Sequence, residues 1–439
     1  MTALSNNRAQ DAIIALRDLT RPDAQYCFGR AALLQKLKEV PLNGGAALLI
    51  GGIMSGKTTI LQRLQAEVLK ENSISAMTLP VYLDLRSVPQ AESSALFDQL
   101  LQRTMIVCQG QIEGFASPSL PPKGRSIDSF AAVLAELFKF YGHMNFRLCF
   151  LFDNADKLSE YPAEVRSKLL WLLDGDEQNL WKDKVSILFA GGQKTRPLLL
   201  DGTSAPGGWG SVEYVQSLAK DAILEMLAAR GCKSRNGEIA DLIIKQTGGH
   251  AGLSSLIIAE SSLCNFESAA IQEILTKVSG EKENYFVRIT DGLSREAHQL
   301  LQLLIYSYSF TAEDAGAFLH SHEINRWQAG TALHELESSG IGCRENDKIV
   351  RTGAMYWKYI QQFKGSLSRV DGIPKSECRR VFRRCGEGWW VQFDCEIVFL
   401  FDRLGLRRYH YLLQRPLKMT APGEVFHVGK INTEPAEQS

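Results

Sequence analysis

The sequence predicts an α/β chain: a parallel sheet with helices on both faces, then an all-helical segment, a three-helix and hairpin segment, and a small α+β module. Three observations predict it. Short apolar runs alternate with helical patterns through the first half of the chain. Strand signals stop near Ser217, and only helical periodicity follows for some way. Past Arg295, three further helical patterns lead into a hairpin signal, and from Trp389 the chain turns β-rich. The chain has 439 residues, 45% of them hydrophobic and 22% charged, which suits a globular chain with a substantial core. That length predicts roughly two to four domains.

Each element has its own signal. Asp11 to Leu19 alternates as a short amphipathic helix, and Ala31 to Val40 is a second, ended by Pro41 and Gly44-Gly45. Ala46 to Ile50 is an apolar strand running into glycines, and Thr59 to Glu71 is helical. Leu79 to Leu85 is a second strand and Ser94 to Val107 a helix. Cys108 to Arg125, with Gly, Ser and a Pro-Pro pair, is expected to be a long loop. Ile127 to Tyr141 is helical, Arg147 to Phe152 a third strand, Glu164 to Leu173 a helix and Val185 to Ala190 a fourth strand. Asp201 to Ser211 is expected to be another loop. Helical patterns then cover Lys220 to Arg230, Gly237 to Thr247 and Gly252 to Cys264. Arg295 to Tyr306, Ala312 to Leu319 and Ile324 to Ser338, with a hairpin over Gly340 to Val350, make the winged-helix pattern. Leu404 to Gln414 is a helical pattern in the last module. The expected division is 1–24, an N-terminal helical segment; 25–217, the sheet domain; 218–284, a helical lid; 285–366, the winged helix; and 367–439, the α+β module with a disordered tail.

Gly51-Gly52-Ile53-Met54-Ser55-Gly56-Lys57-Thr58 fits G-x-x-x-x-G-K-[ST] at every fixed position, between a strand and a helix. The glycines let backbone N–H groups converge on phosphate oxygens, Lys57 opposes the β and γ phosphates, and the Thr58 hydroxyl can ligate Mg²⁺. Thr59 continues into a helix whose dipole faces the anion. Gly51, Gly52, Ser55, Gly56, Lys57, Thr58 and Thr59 are the expected ATP contacts. The third strand ends in Asp153, placed to hold Mg²⁺ with Thr58. The next residue, Asn154, can orient water but cannot take its proton. Asp156 is the nearest acid in sequence. Either Asp156 or another residue is the base, or turnover is slow and bound nucleotide sets a conformational state.

These residues, with Phe28-Gly29-Arg30, the strand ending Asp153 to Asp156 and Phe189-Ala190-Gly191-Gly192, resemble AAA+ and STAND-type P-loop ATPases over roughly Cys27 to Tyr359. Thr247-Gly248-Gly249-His250 is similar to the TGGHP signature in the lid of prokaryotic members, with Ala251-Gly252 in place of the proline. The resemblance implies that Gly29 and Arg30 lie near the base and ribose, that Gln193 or Arg196 senses the γ-phosphate, and that His250 approaches from the lid. Gly386-Glu387-Gly388-Trp389-Trp390, the segment from Leu404 to Pro416 and Phe426-His427-Val428 look like a small module of bacterial regulatory and conflict-system ATPases.

Lys plus Arg and Asp plus Glu both number 49, so the whole-chain charge points to no nucleic-acid or membrane partner. Nine scattered cysteines without a CxxC pair fit reduced thiols, and with no apolar stretch of spanning length a cytoplasmic chain is expected. Arg379, Arg380, Arg383 and Arg384 are expected on one side of a short helix, a basic patch for nucleic acid, an acidic partner or solvent. The function expected is an ATP-dependent switch that couples nucleotide state to homo-oligomer assembly and to a separate effector protein, as in bacterial defence systems. A nucleic-acid loader of AAA+ type and a winged-helix transcription regulator are the alternatives.

Overall fold

The computed structural model describes residues 27–71, 77–88, 92–112, 115, 127–173, 181, 183–200, 209–232, 236–281, 283–307, 309–315 and 326–367, and strands at 379–385, 388–393, 397–401, 407–409 and 425–427. The expected helix at 11–19, residues 113–114 and 116–125 of the first expected loop, 201–208 of the second, 316–319 and 324–325 of two expected winged-helix helices, 404–406 and 410–414 of the last expected helix, and the tail beyond 427 lie outside the described residues. The chain divides into two compact units, Met1–Ala240 with Ala251–Ile274, and Asp241–His250 with Leu275–Ser439.

In the first unit, α1 (Ala31–Asn43), α2 (Lys57–Glu71), α3 (Ser93–Gln111), α4 (Ile127–Tyr141), α5 (Ala163–Trp171) and α6 (Thr195–Leu200) alternate with strands. The strands are β1 (Gly45–Ile50), β2 (Met77–Asp84), β3 (Phe146–Asp153), β4 (Val185–Gly191) and β5 (Trp209–Tyr214). They form one parallel sheet in the order β2-β3-β4-β1-β5. Because strand side chains alternate, each strand feeds two cores. Leu48, Ile50, Phe150, Phe152, Ile187 and Phe189 pack beneath α3, α4 and α5. Ala47, Leu49, Leu151 and Leu188 pack beneath α1 and α2 through Leu37, Ile60, Leu61 and Leu64. Phe152 stacks on Phe189 at 5.2 Å, tying β3 to β4. In register, Asp84 pairs with Asp153, Asp153 with Ala190, and Ile50 with Gly191. The carboxyl ends of β2, β3, β4 and β1 are therefore level, which is where parallel sheets place their sites.

Four expectations in this unit are corrected. Strand β5 occupies part of the stretch expected as loop, its Gly210 and Ser211 masking an edge strand that pairs with β1. Helix α1 runs through Pro41, whose missing N–H falls in the last turn, and stops where the Gly44 N–H caps the Val40 carbonyl. Helix α3 continues through Cys108 to Gln111, because Cys108 and Ile112 are buried in the core. A further helix, α6, follows β4.

The remaining helices are α7 (Lys220–Ala229), α8 (Asn236–Thr247), α9 (Ala251–Ser262), α10 (Ser268–Glu281), α11 (Glu283–Asp291) and α12 (Arg295–Ser307). The segment 218–284 contributes to both units, and the division falls inside α8. In the second unit, α12, a helical turn at 312–315 and α13 (Arg326–Ser338) precede a hairpin of β7 (Gly342–Glu345) and β8 (Lys348–Arg351). Strand β6 (Ser309–Thr311) completes the sheet β6-β8-β7, and α14 (Ala354–Leu367) follows.

The last module is a five-stranded antiparallel sheet in its described residues, order β12-β11-β10-β9-β13. Its strands are β9 (Arg379–Cys385), β10 (Gly388–Phe393), β11 (Ile397–Phe401), β12 (Arg407–Tyr409) and β13 (Val425–His427). Two expectations fail here. Arg379, Arg380, Arg383 and Arg384 lie on strand β9, not on a helix, so the i, i+4 spacing that gathered them on one side does not apply. Arg407–Tyr409 is a strand within the expected helix, pairing with Phe399–Phe401.

Candidate functional site

The loop between β1 and α2 follows directly from its glycines. β1 ends at Ile50, the Gly51 N–H binds the Gly191 carbonyl, and α2 begins at Lys57. Neither Gly52 nor Gly56 has a heavy atom of the described residues within 4 Å of where a Cβ would stand, so the loop encloses open space. The Ser55 hydroxyl is buried there without a hydrogen-bond partner among the described residues. Thr58 and Thr59 lie in the first turn of α2, whose N–H groups have no intrahelical acceptor. The Lys57 ammonium donates to the Gly51 and Gly52 carbonyls at 2.8 Å each. Burial pulls its pKa down, against the opposing fields of Asp156 and Asp153. A cation resting on carbonyls beside an open cradle of donors is what a polyphosphate displaces. These residues fit a nucleoside triphosphate.

Asp153 is fully buried. Its Oδ2 accepts from the Thr58 hydroxyl at 2.6 Å and from the Tyr82 hydroxyl at 2.9 Å, and its Oδ1 accepts from the Asn154 N–H at 2.8 Å. Burial, then Asp153 itself, pushes the Tyr82 phenol far above its ordinary pKa, which keeps it a donor. The hydroxyl of Thr58 and the carboxylate of Asp153 are hard oxygen donors side by side, and they fit Mg²⁺.

The two neighbours of Asp153 are engaged elsewhere. Asn154 sits in the left-handed region at φ 57°, and its Nδ2 donates to Asp84 Oδ1 at 2.9 Å. Asp156 Oδ2 accepts the Gly192 N–H at 2.7 Å, and its Oδ1 accepts the Thr195 hydroxyl at 2.9 Å. Asp156 thereby fastens the turn between β4 and α6, the turn that carries Gln193 and Arg196.

Reading the sequence missed Tyr82, Asp84 and Arg86. Asp84 ends β2 beside Asp153, and its carboxylate holds Arg86 in a fork, with Nη2 to Oδ2 at 2.9 Å and Nε to Oδ1 at 3.2 Å. Burial would raise the Asp84 carboxyl, but Arg86 and Asn154 hold it below its ordinary value. The signal was a polar residue ending a strand, as at Asp153, but nothing local says which strand ends are neighbours.

Gly29 stands against Ala222 of α7, and Arg30 is the N-cap of α1. Arg30 is 8% exposed, and its Nη2 has no hydrogen-bond partner among the described residues. Burial lowers its pKa. Helix α9 starts at Ala251, and a Cβ on Gly252 would stand 2.6 Å from Met54 Cβ, so the lid helix rests on the phosphate loop. His250 belongs to the second unit. There its ring is 1% exposed, lies edge-on to Tyr285 at 5.6 Å, and has the Tyr285 hydroxyl 3.1 Å from Nδ1.

No family model matches the chain, and no curated protein matches it. Solved structures do. The chain is similar to a Walker-type ATPase of Pyrococcus abyssi, at 16% identity and a TM-score of 0.52, covering 76% of this chain and 96% of that one. It also matches Cdc6p from Pyrobaculum aerophilum, at 21% identity and a TM-score of 0.40, over 76% of this chain and 94% of that one. A third match is a signal transduction ATPase with numerous domains from Pyrococcus horikoshii, at 16% identity and a TM-score of 0.34, over 77% of this chain and 44% of that one. The chain has the fold of a P-loop ATPase, with a parallel five-stranded sheet, a helical lid and a winged helix. No helix among the described residues is long and apolar enough to cross a membrane.

Proposed function

We propose that the chain binds ATP with Mg²⁺ between β1, β3 and the start of α2, and that it is a switch ATPase of AAA+ type. Nucleotide state would set its self-assembly and its engagement of a separate partner protein. One observation carries this reading: Lys57, resting on the Gly51 and Gly52 carbonyls, adjoins the paired Thr58 and Asp153 at the mouth of an open glycine loop. On binding, the Lys57 ammonium exchanges two carbonyls for phosphate oxygens, and the first-turn N–H groups of α2 gain acceptors. Mg²⁺, when bound, neutralises charge on the β and γ phosphates. Thr58 and Asp153 would hold it, with Tyr82 orienting the carboxylate. Arg30, with an orphan donor, is the candidate contact for base or ribose. Because α9 rests on Met54, any shift of the loop moves the lid helix with it.

Light scattering on the wild type and on Lys57→Ala, with ATP, ADP and a non-hydrolysable analogue, tests the reading, with a fluorescent ATP titration alongside. The wild type is expected to grow in mass with ATP or the analogue, and Lys57→Ala to stay small and bind at least about tenfold more weakly. Constant mass in every state, with ATP bound, would remove self-assembly from the proposal. Equal ATP affinity in the two chains would remove the site.

A further inference from the structure

Asn154 follows the Mg²⁺-side aspartate and cannot polarise water as a carboxylate does, and Asp156 points its two oxygens at the Gly192 N–H and the Thr195 hydroxyl of the β4–α6 turn. A carboxylate is nevertheless present at the level of Asp153. Asp84 ends the neighbouring strand in direct register with it, and its side chain is 25% exposed. Resting on the ATPase reading above, we propose that Asp84, supplied by β2, is the carboxylate that orients and polarises the attacking water, with Asn154 and Arg86 as its positioning residues. The amide thus sits just after β3 and the acid on β2.

Three details support this. The Asn154 amide donates to Asp84 Oδ1 at 2.9 Å, and the left-handed backbone of Asn154 turns it that way. The Arg86 backbone N–H also donates to Asp84 Oδ1 at 2.9 Å, so with the Asn154 amide it fixes the carboxylate through that oxygen. Arg86 is 60% exposed, so the charge of a γ-phosphate can draw its guanidinium from Oδ2 and leave that oxygen to accept from water. In the step, the water oxygen forms a bond to the γ phosphorus and the bond from phosphorus to the β–γ bridging oxygen breaks. The electron pair leaves on ADP and the water proton ends on inorganic phosphate. Asp84 is unchanged over the cycle.

The test compares the wild type, Asp84→Asn, Asp84→Glu and the exchange Asp84→Asn with Asn154→Asp. Three readouts are taken: phosphate release, affinity for a fluorescent ATP analogue, and retention of ADP with aluminium fluoride. Asp84→Asn is expected to lose about a hundredfold in phosphate release and retention of the fluoride complex, with ATP affinity within about threefold of wild type. The exchanged pair, which moves the carboxylate one strand over, is expected to recover about tenfold of that loss. Asp84→Asn turning over within about twofold of wild type overturns the proposal. So does a loss of ATP affinity as large as the loss of turnover, in Asp84→Asn and Asp84→Glu alike. A wild type that binds ATP yet releases no phosphate overturns it and leaves the binding reading intact. A wild type that binds no ATP removes the earlier reading instead.

Discussion

At the scale of single residues, buried polar groups carry most of the information that is not in the hydrophobic pattern. Glu335 on α13 is the clearest case outside the candidate site. It is 2% exposed, and its Oε2 accepts the Ser294 N–H at 2.7 Å, just before α12 begins. Burial, with Glu296 adding to it, pushes its carboxyl up to about 7 despite that hydrogen bond. The folded chain therefore keeps a proton there that the unfolded chain has lost. Stability should fall as pH rises from about 4.5 to about 7 and then level off, by on the order of 3 kcal/mol at 1.4 kcal/mol per pH unit. Glu335→Gln keeps an acceptor for Ser294 and cannot ionise. Denaturant melts at pH 5 and pH 7.5 should show a smaller difference for the variant than for the wild type, and equal differences would assign the proton elsewhere. Nothing in the sequence around Leu333-His334-Glu335-Leu336 distinguishes this Glu from a surface one, since its burial depends on where α12 packs. The phosphate loop is the opposite case. Its chemistry is complete within eight consecutive residues, so Lys57 and Thr58 could be read without knowing the fold. Asp153 was legible by its strand, but its Tyr82 contact was not.

Among the elements, those buried on both faces were legible and those at edges were not. β3 and β4 are nearly continuous apolar runs, and their periodicity fits only a covered strand. β5 is half-covered and contains Gly210 and Ser211, so its local composition matches a loop, and pairing with β1 makes it a strand. β9 reads Arg-Arg-Val-Phe-Arg-Arg-Cys, a pattern that fits either period until β10 pairs with it. The lid helix α9 shows an element placed by a missing side chain. Gly252 stands on the exposed Met54, whose own φ is 53°, and a Cβ there would also come within 3.1 Å of the Met54 carbonyl. Gly252→Val must lift the helix or flatten the loop. It should cost about 1–3 kcal/mol in a thermal melt and weaken ATP binding more than Lys245→Ala, a surface change. Replacing Met54 by Gly in the same chain removes the obstructing side chain and suits the left-handed backbone, so part of the affinity should return. If Gly252→Val binds ATP as the wild type does, α9 and the loop are not mechanically joined.

For the molecule as a whole, the order of layers was readable and the order of strands was not. Alternating strands and helices imply a parallel sheet, yet β1 lies between β4 and β5, and β2 sits at the far edge. That order brings Asp84 beside Asp153 and Gly191 beside Ile50. It is set by long-range packing, which a local pattern cannot encode. The division into two units has a consequence for the switch reading. The phosphate loop and α9 belong to the first unit, while His250 and the winged helix belong to the second. The helix α8 begins in one and runs in the other up to the Thr247-Gly248-Gly249-His250 turn. A bound ligand can shift the second unit only if the two states of that unit differ in their free energy of binding it. Amide hydrogen exchange with and without Mg-ATP measures this directly. Slower exchange is expected in α2 and in α9, which rests on Met54 of the loop, and altered exchange in α11 and in the β7–β8 hairpin. Changes that stop at Ala240 and α9 would leave a chain that binds nucleotide in one unit without informing the other, and the switch would have to be given up while the site was kept.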